Sequence, residues 1–565
     1  MKRTVLFLSI AAITACTQTQ NERQDHEVFI DSDESKKEQI LVMEEAEAGR
    51  ALAPRTEQFH SNKPAKVKMA VADSLGYIAP APYINVVEEN RENYNHFDDN
   101  SVQIVQNNPV STFSIDVDTG SYSNIRRMLN QGMIPPHDSV RVEEMINYFN
   151  YDYENPDISE QPFSINTEIA PSPWNSNAHL LHIGIQGYEV KNEQRPASNL
   201  TFLIDVSGSM DSPDKLGLLK QSFKLMTKNL REEDKVAIVV YAGAAGAVLE
   251  STSGDQKSKI LQALDKLSAG GSTNGAGGIN LAYQISEDNF IKDGINRIII
   301  ATDGDFNVGT TNFEQLTELV SRKKEKGISL TTLGFGQGNY NDHLMEQLAD
   351  KGNGNHAYID TLKEANKVLV NEMNSTLMTI AKDVKIQIEF NPNSVSQYRL
   401  IGYENRILNN EDFNNDKIDA GEIGSGHSVT AIYEVVMQGQ KGWIEPLKYQ
   451  QTIDGKPFSD EIATLKVRYK NPDADTSKLI TNTIKRNQIV DDISTTSNNF
   501  KMSAAVAGFG QLLRGGKMLN GFKFDDAQKL AGQTMQNDQF GYRGEFLQLV
   551  SLAESLTEQH ANNVE

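Results

Sequence analysis

Between Leu200 and about Ile380, short apolar runs alternate with stretches of helical spacing, and this alternation leaves few folds open. Leu200–Ile204, Lys235–Tyr241, Ile298–Ala301 and Ile328–Phe335 read as strands buried on both faces, the mark of a parallel sheet. Lys215–Leu230, Lys257–Leu267, Gly278–Phe290 and Asn312–Lys326 carry apolar residues three and four apart, so helices are expected to cross over between the strands. Two shorter candidates, Ala247–Leu249 and His356–Ile359, bring the strands to six, and Thr361-Leu362-Lys363-Glu364 is a capping box that opens a last helix. The expected fold class is α/β, a doubly wound and mostly parallel sheet.

Two of these strands end in chemistry. The run from Leu200 leads into Asp205 and then turns through Ser207, Gly208 and Ser209; the run from Ile298 leads through Thr302 into Asp303 and Gly304. Between them, Gly270-Gly271-Ser272-Thr273-Asn274 is a loop whose glycines let backbone approach where a Cβ would clash. Ligands of open α/β sheets bind beyond the carboxyl ends of the strands, so Asp205, Ser207, Ser209, Thr273 and Asp303 are expected to converge. Two carboxylates and three hydroxyls make a hard oxygen set, suited to Mg²⁺ with Mn²⁺ or Ca²⁺ as substitutes. Taken alone, Asp205–Ser209 reads as a strand-to-helix turn with capping serines; three matched segments favour the metal.

This pattern resembles the metal-ion-dependent adhesion site of von Willebrand factor type A domains. The resemblance implies a Rossmann-like domain with one antiparallel edge strand. It also implies a Mg²⁺ held by those five residues, with an open position that takes an acidic side chain from a partner protein.

Past Lys382 the apolar period changes to two, as in Val384, Ile386, Ile388 and Phe390, and an antiparallel β-sandwich-like domain is expected. The alternating stretches 163–170 and 181–185 lie just before the α/β region and are expected to join that sheet, which would make the α/β domain an insertion. From about Phe500 the spacing is helical, ending with Phe546, Leu549, Ala553 and Leu556 on one stripe. At the other end, Lys2-Arg3 and the short apolar run Val5–Ile13 read as a secretion signal, and Ile13-Thr14-Ala15-Cys16 resembles a bacterial lipobox that would lipidate Cys16. Cys16 is the only cysteine, and Thr17 behind it resembles outer-membrane retention. The expected division is a signal at 1–16, a disordered acidic tether at 17–107, an α+β segment at 108–195, the α/β domain at 196–382, a β-rich domain at 383–495 and C-terminal helices at 496–565. NPVSTFSIDVDTGSYSNIRRML near 108–129, EDFNNDKIDAGEIGSGHSVTAIYE at 411–434 and GYRGEFLQLVSLAESL at 541–556 resemble a bacterial family of von Willebrand A-domain lipoproteins.

A formal net charge of −22 argues against nucleic acid as a partner. Asp118-Thr119-Gly120-Ser121 has the tetrapeptide of aspartic proteases but no second copy, so an Asx-type turn is expected. Asp412–Lys417 starts like a calcium loop, yet Lys417 stands where the turn glycine belongs and Ile423 where the bidentate glutamate belongs, so a polar hairpin tip is expected. The expected function is that of a cell-envelope lipoprotein, tethered to the membrane by Cys16, that binds a protein through the metal. The alternatives are an envelope scaffold with incidental metal and, less favoured, a metal-dependent hydrolase. No enzyme activity is expected, since no placed base or second metal motif accompanies the site.

Overall fold

The computed structural model describes residues 91–156, 161–272, 275–304, 313–445 and 460–564. The signal, Cys16 and the tether up to residue 90 lie outside the described residues. In chain order the strands are β1 (Gln103–Ile104), β2 (Val110–Ser114), β3 (Phe163–Pro171), β4 (His179–Gly187), β5 (Ser198–Asp205), β6 (Lys235–Tyr241), β7 (Ala245–Ser253) and β8 (Ile295–Thr302). They continue as β9 (Ser329–Phe335), β10 (His356–Ile359), β11 (Thr379–Phe390), β12 (Val395–Ile401), β13 (Gly421–Gly424), β14 (Ser428–Met437), β15 (Glu461–Lys470) and β16 (Lys478–Lys485).

The α/β region is a six-stranded sheet of order β10-β9-β8-β5-β6-β7. All neighbours are parallel except β7, which runs antiparallel to β6 at the edge. Helices Leu218–Lys228 and Lys257–Asp265 pack in one apolar layer, Gly275–Asp288 and Phe313–Lys324 in another, so the sheet is covered on both sides. Both faces of β5 and β8 are therefore dry, which is why their sequences are continuous apolar runs.

The strands flanking this domain do join one sandwich. One sheet has the order β1-β12-β14-β4-β3; the other runs β13-β11-β15-β16, with β2 also pairing β11. Their inner faces share a core that includes Phe113, Ile183, Ile388, Tyr433 and Leu465. β4 pairs with β14 across the whole intervening domain, from Ser428↔Gln186 to Val435↔His179. The α/β domain is thus inserted between β4 in one sheet and β11 in the other.

Three boundaries depart from expectation. Residues 91–107 do not extend the tether: Asn93 N–H donates to Tyr340 O at 3.0 Å, Asn100 Nδ2 to Gly402 O at 2.7 Å, and Val105 is buried. Irregular backbone makes these contacts, so no hydrophobic period announced them. The C-terminal helices are not a separate layer either. Asn498–Leu513, Phe524–Gly532 and Tyr542–Val564 share a core with Gly120–Asn130 and Val142–Asn147, where Tyr122 stacks on Tyr148 at 3.9 Å and Phe149 meets Phe546 edge-on at 5.6 Å. Finally, the helix expected from Lys215 begins at Leu218, after a kinked turn, Pro213–Gly217, in which Lys215 has non-helical angles.

The two decoys resolve into braces. Asp116 Oδ1 accepts from Asp118 N–H at 3.0 Å, an Asx turn, and Asp118 Oδ1 accepts from His356 N–H at 2.7 Å, tying this segment to the edge strand β10. At the calcium-like loop, Lys385 Nζ donates to the carbonyls of Asp412 and Asn415, and Lys470 Nζ to that of Asp416. Ammonium groups of the chain itself satisfy those oxygens.

Candidate metal centre at the carboxyl rim of the six-stranded sheet

β5 and β8 lie side by side, so Asp205 at the end of one and Asp303 just past the end of the other emerge at the same rim. Both aspartates are 0% exposed. The Asp205 carboxylate takes three hydrogen bonds: from Ser207 N–H at 2.9 Å, from Thr302 Oγ1 at 2.9 Å, and from the hydroxyl of Tyr241 on β6 at 3.2 Å. Burial pushes the Asp205 carboxyl up to about 6, against the hydrogen bonds from Ser207 and with the negative charge of Asp303 adding to the rise. Two buried carboxylates sharing one rim are a standing demand for positive charge.

Two of the three expected hydroxyls fall among the described residues. Ser207 Oγ and Ser209 Oγ stand 3.0 Å apart, Ser207 buried and Ser209 open to solvent. The glycine loop is stitched to this turn, with Gly270 N–H donating to Val206 O at 2.8 Å and Gly208 N–H to Gly271 O at 3.1 Å. Gly271 has φ +90°, a conformation that favours glycine. Thr273, two residues on, lies outside the described residues. Among the expected ligands, Asp205, Ser207, Ser209 and Asp303 are therefore brought to one place.

Three participants were missed. Thr302 and Tyr241 hold Asp205, and the only prior signal was their position at the ends of β8 and β6. The third is Lys215, whose Nζ donates to Asp303 Oδ2 at 2.9 Å and to Asn339 Oδ1 at 3.3 Å. It reaches there because the backbone kinks at Lys215, with non-helical φ −110°, ψ −105°, and because Gly336 leaves room: a Cβ on Gly336 would fall 2.3 Å from Lys215 Cγ. The donor set fits a hard divalent cation, with Lys215 supplying one of the balancing charges.

Gly304 closes the rim. Its φ is +91°, and an added Cβ would sit 2.3 Å from Asn341 N, a backbone atom that cannot step aside. Gly304→Ala is expected to lose about 1–3 kcal/mol of stability. A denaturant midpoint equal to that of the wild-type chain would contradict this packing.

A second carboxylate group, Asp116, Glu144 and Glu346, brings oxygens within 4.8 Å of one another. Guanidinium groups already thread it: Arg141 Nη2 lies 2.9 Å from Glu346, and Arg406 Nε 3.2 Å from Asp116. Its counter-ions are arginines.

Three family models match successive stretches of the chain. The family model described as von Willebrand factor type A domain matches residues 199–394, that described as von Willebrand factor matches 88–182, and that described as Uncharacterized protein YfbK, C-terminal, matches 375–556. The chain is 45% identical over 518 residues to "Uncharacterized protein YfbK" of Escherichia coli K12, covering 90% of this chain and 89% of that one. It is 25% identical over 309 residues to the human inter-alpha-trypsin inhibitor heavy chain H3, covering 51% of this chain and 33% of that one. Among solved structures, a von Willebrand factor type A protein from Catenulispora acidiphila aligns over 70% of this chain and 91% of its own, at 14% identity and a TM-score of 0.39.

Proposed function

Because the chain belongs to the YfbK family and carries a von Willebrand factor type A domain at its centre, we propose that it is a lipid-anchored binding module of the bacterial envelope. In this reading Asp205, Ser207, Ser209, Thr273 and Asp303 hold Mg²⁺, and the module captures a partner protein through an acidic side chain. A von Willebrand factor type A domain supports a protein-interaction or adhesion role in general; the metal, the anchor and the acidic partner are the proposal.

The observation that supports it best is the contrast within the rim. Asp205 and Asp303 are wholly buried while Gly208 and Ser209 beside them face solvent, so charge demand sits directly beneath an accessible surface. Bound there, the cation would supply a hard Lewis acid able to accept a carboxylate from outside. Tyr241, Thr302 and Ser207 N–H fix the Asp205 carboxylate, so the arrangement is set before any ligand arrives. Turnover forms no part of this role. The lipid anchor is read from Ile13–Cys16 and its outer-membrane placement from Thr17.

One observation favours a scaffold instead: Lys215 already neutralises Asp303 within the chain. The two readings part on chelation. Immobilised full chain, challenged with envelope extract, is expected to retain a protein that EDTA releases and Mg²⁺ restores. Retention indifferent to EDTA would remove the metal from the account and favour the scaffold.

A further inference from the structure

At the opposite end of the six-stranded sheet, a cleft of about 840 Å³ separates the starts of β5, β8 and β9 from the sandwich. We infer that this cleft binds a small molecule through an oxyanion, a carboxylate or a phosphate, that pairs with Arg297. The inference is independent of the metal site, which lies a strand's length away, ~20 Å along β5.

Arg297 lines the cleft and is 2% exposed, yet it has no carboxylate at ion-pair distance among the described residues. Its one hydrogen bond goes from Nη1 to the neutral hydroxyl of Thr331 at 2.8 Å, and its Nε is buried without a partner. Other buried arginines of this chain are treated differently: Arg126, Arg141, Arg195 and Arg399 each meet a carboxylate. Burial pulls the Arg297 guanidinium down to about 10, which still leaves it charged at neutral pH. The carboxylate whose field reaches it is Glu422 on β13, whose own Oε1 has no partner and whose carboxyl is pushed up to about 8 by burial and by Asp419. Glu422 offsets the arginine charge only from a distance, with no ion pair between the two.

A buried, unpaired cation is costly unless something external completes it. The planar guanidinium presents N–H groups in a fork matched to carboxylate and phosphate oxygens, and here that fork is largely unused. Ser329, the cross-strand partner of Arg297 on β9, lies on the same face of the sheet and also lines the cleft. Thr379 and Asn471 extend the polar lining towards the sandwich; Lys478 adds an exposed ammonium, and Asp293 and Asp473 add exposed carboxylates that confine an oxyanion to the Arg297 end. The volume exceeds what a bare ion needs and falls among those of small-molecule sites, roughly 300–1,000 Å³, so the oxyanion is expected to be one end of a larger molecule.

The test uses the full chain, titrated by calorimetry and by thermal midpoint with inorganic phosphate and separately with acetate, ionic strength being balanced with chloride. At least one of the two is expected to raise the midpoint saturably where chloride does not, and the tighter one names the class. Arg297→Met is expected to remain folded and to lose that response. Arg297→Lys, which keeps the charge but not the fork, is expected to weaken it by about tenfold. Should Arg297→Met compromise folding, Ser329→Ala, which leaves the charge in place, is expected to weaken the response at an unchanged starting midpoint. No saturable response to either anion overturns the inference. So does a response that survives undiminished in Arg297→Met, or in both Arg297→Lys and Ser329→Ala.

Discussion

Asp205→Ala is expected to lower Mg²⁺ affinity by on the order of 100-fold or more, and to abolish partner retention that depends on the metal. Outer groups that merely orient a ligand contribute 10- to 100-fold in comparable sites, and Asp205 is the carboxylate itself. The fold should survive at a moderate cost. Tyr241 OH, Thr302 Oγ1 and Ser207 N–H would lose their acceptor, for about 1–3 kcal/mol, partly offset by removing a carboxylate whose charged form burial disfavours. Calorimetric Mg²⁺ titration and a denaturation curve on the same preparation separate these effects. Lys215→Met supplies the converse: if its ammonium competes with metal for Asp303, the variant binds Mg²⁺ more tightly than the wild-type chain. Equal Mg²⁺ affinity in wild type and Asp205→Ala would end the adhesion-site interpretation, whatever the rim looks like.

Arg406→Ala is expected to be the most damaging single change away from the rim. Its guanidinium stands between segments far apart in sequence, 2.7 Å from Asp350, 3.2 Å from Asp116, 3.4 Å from Asp118 and 3.5 Å from Glu346. Stripping it away leaves Asp116, Asp118 and Glu346 buried with too little positive charge, a loss of about 3–5 kcal/mol. The thermal midpoint should fall by about 3–5 °C, because a unit spanning Val86–Glu565 unfolds with an entropy of roughly 1 kcal/mol per kelvin. The sign of the pH dependence is a further check. Burial pushes the Asp118 carboxyl up, and Glu346 to about 7, in both cases held down in part by arginine. Groups raised this way favour folding when protonated, so the defect should shrink in mildly acidic buffer and deepen in alkaline buffer. A midpoint within a degree or so of wild type would mean that the ion pairs at this junction do not hold it together.

Sequence reading succeeded where the chain repeats a period or ends a strand in a carboxylate. Lys235–Tyr241 and His356–Ile359 are strands over the residues expected, and the insertion of the α/β domain into the sandwich followed from alternation on its two flanks. It failed where meaning depends on a residue hundreds of positions away. Arg406 gave no sign of gathering Asp116 and Glu346, and the polar stretch 91–107 gave no sign of hydrogen bonding to Gly402 and Tyr340. Lys215 stood in the sequence only as the first residue of a helix, and the kink in the backbone there is what gives it the reach to Asp303. The capping box at Thr361 was half right. Thr361 Oγ1 accepts from Glu364 N–H at 3.2 Å, but the Glu364 carboxylate turns away to Arg126 and Tyr148.

The insertion has a mechanical corollary. The α/β domain is spliced into the sandwich by two peptide connections, one leaving β4 and the other entering β11, and those strands belong to different sheets. Tension on the α/β domain would divide between the two layers and run along their hydrogen-bonded ladders, loading both at once where a single linker would peel one edge open.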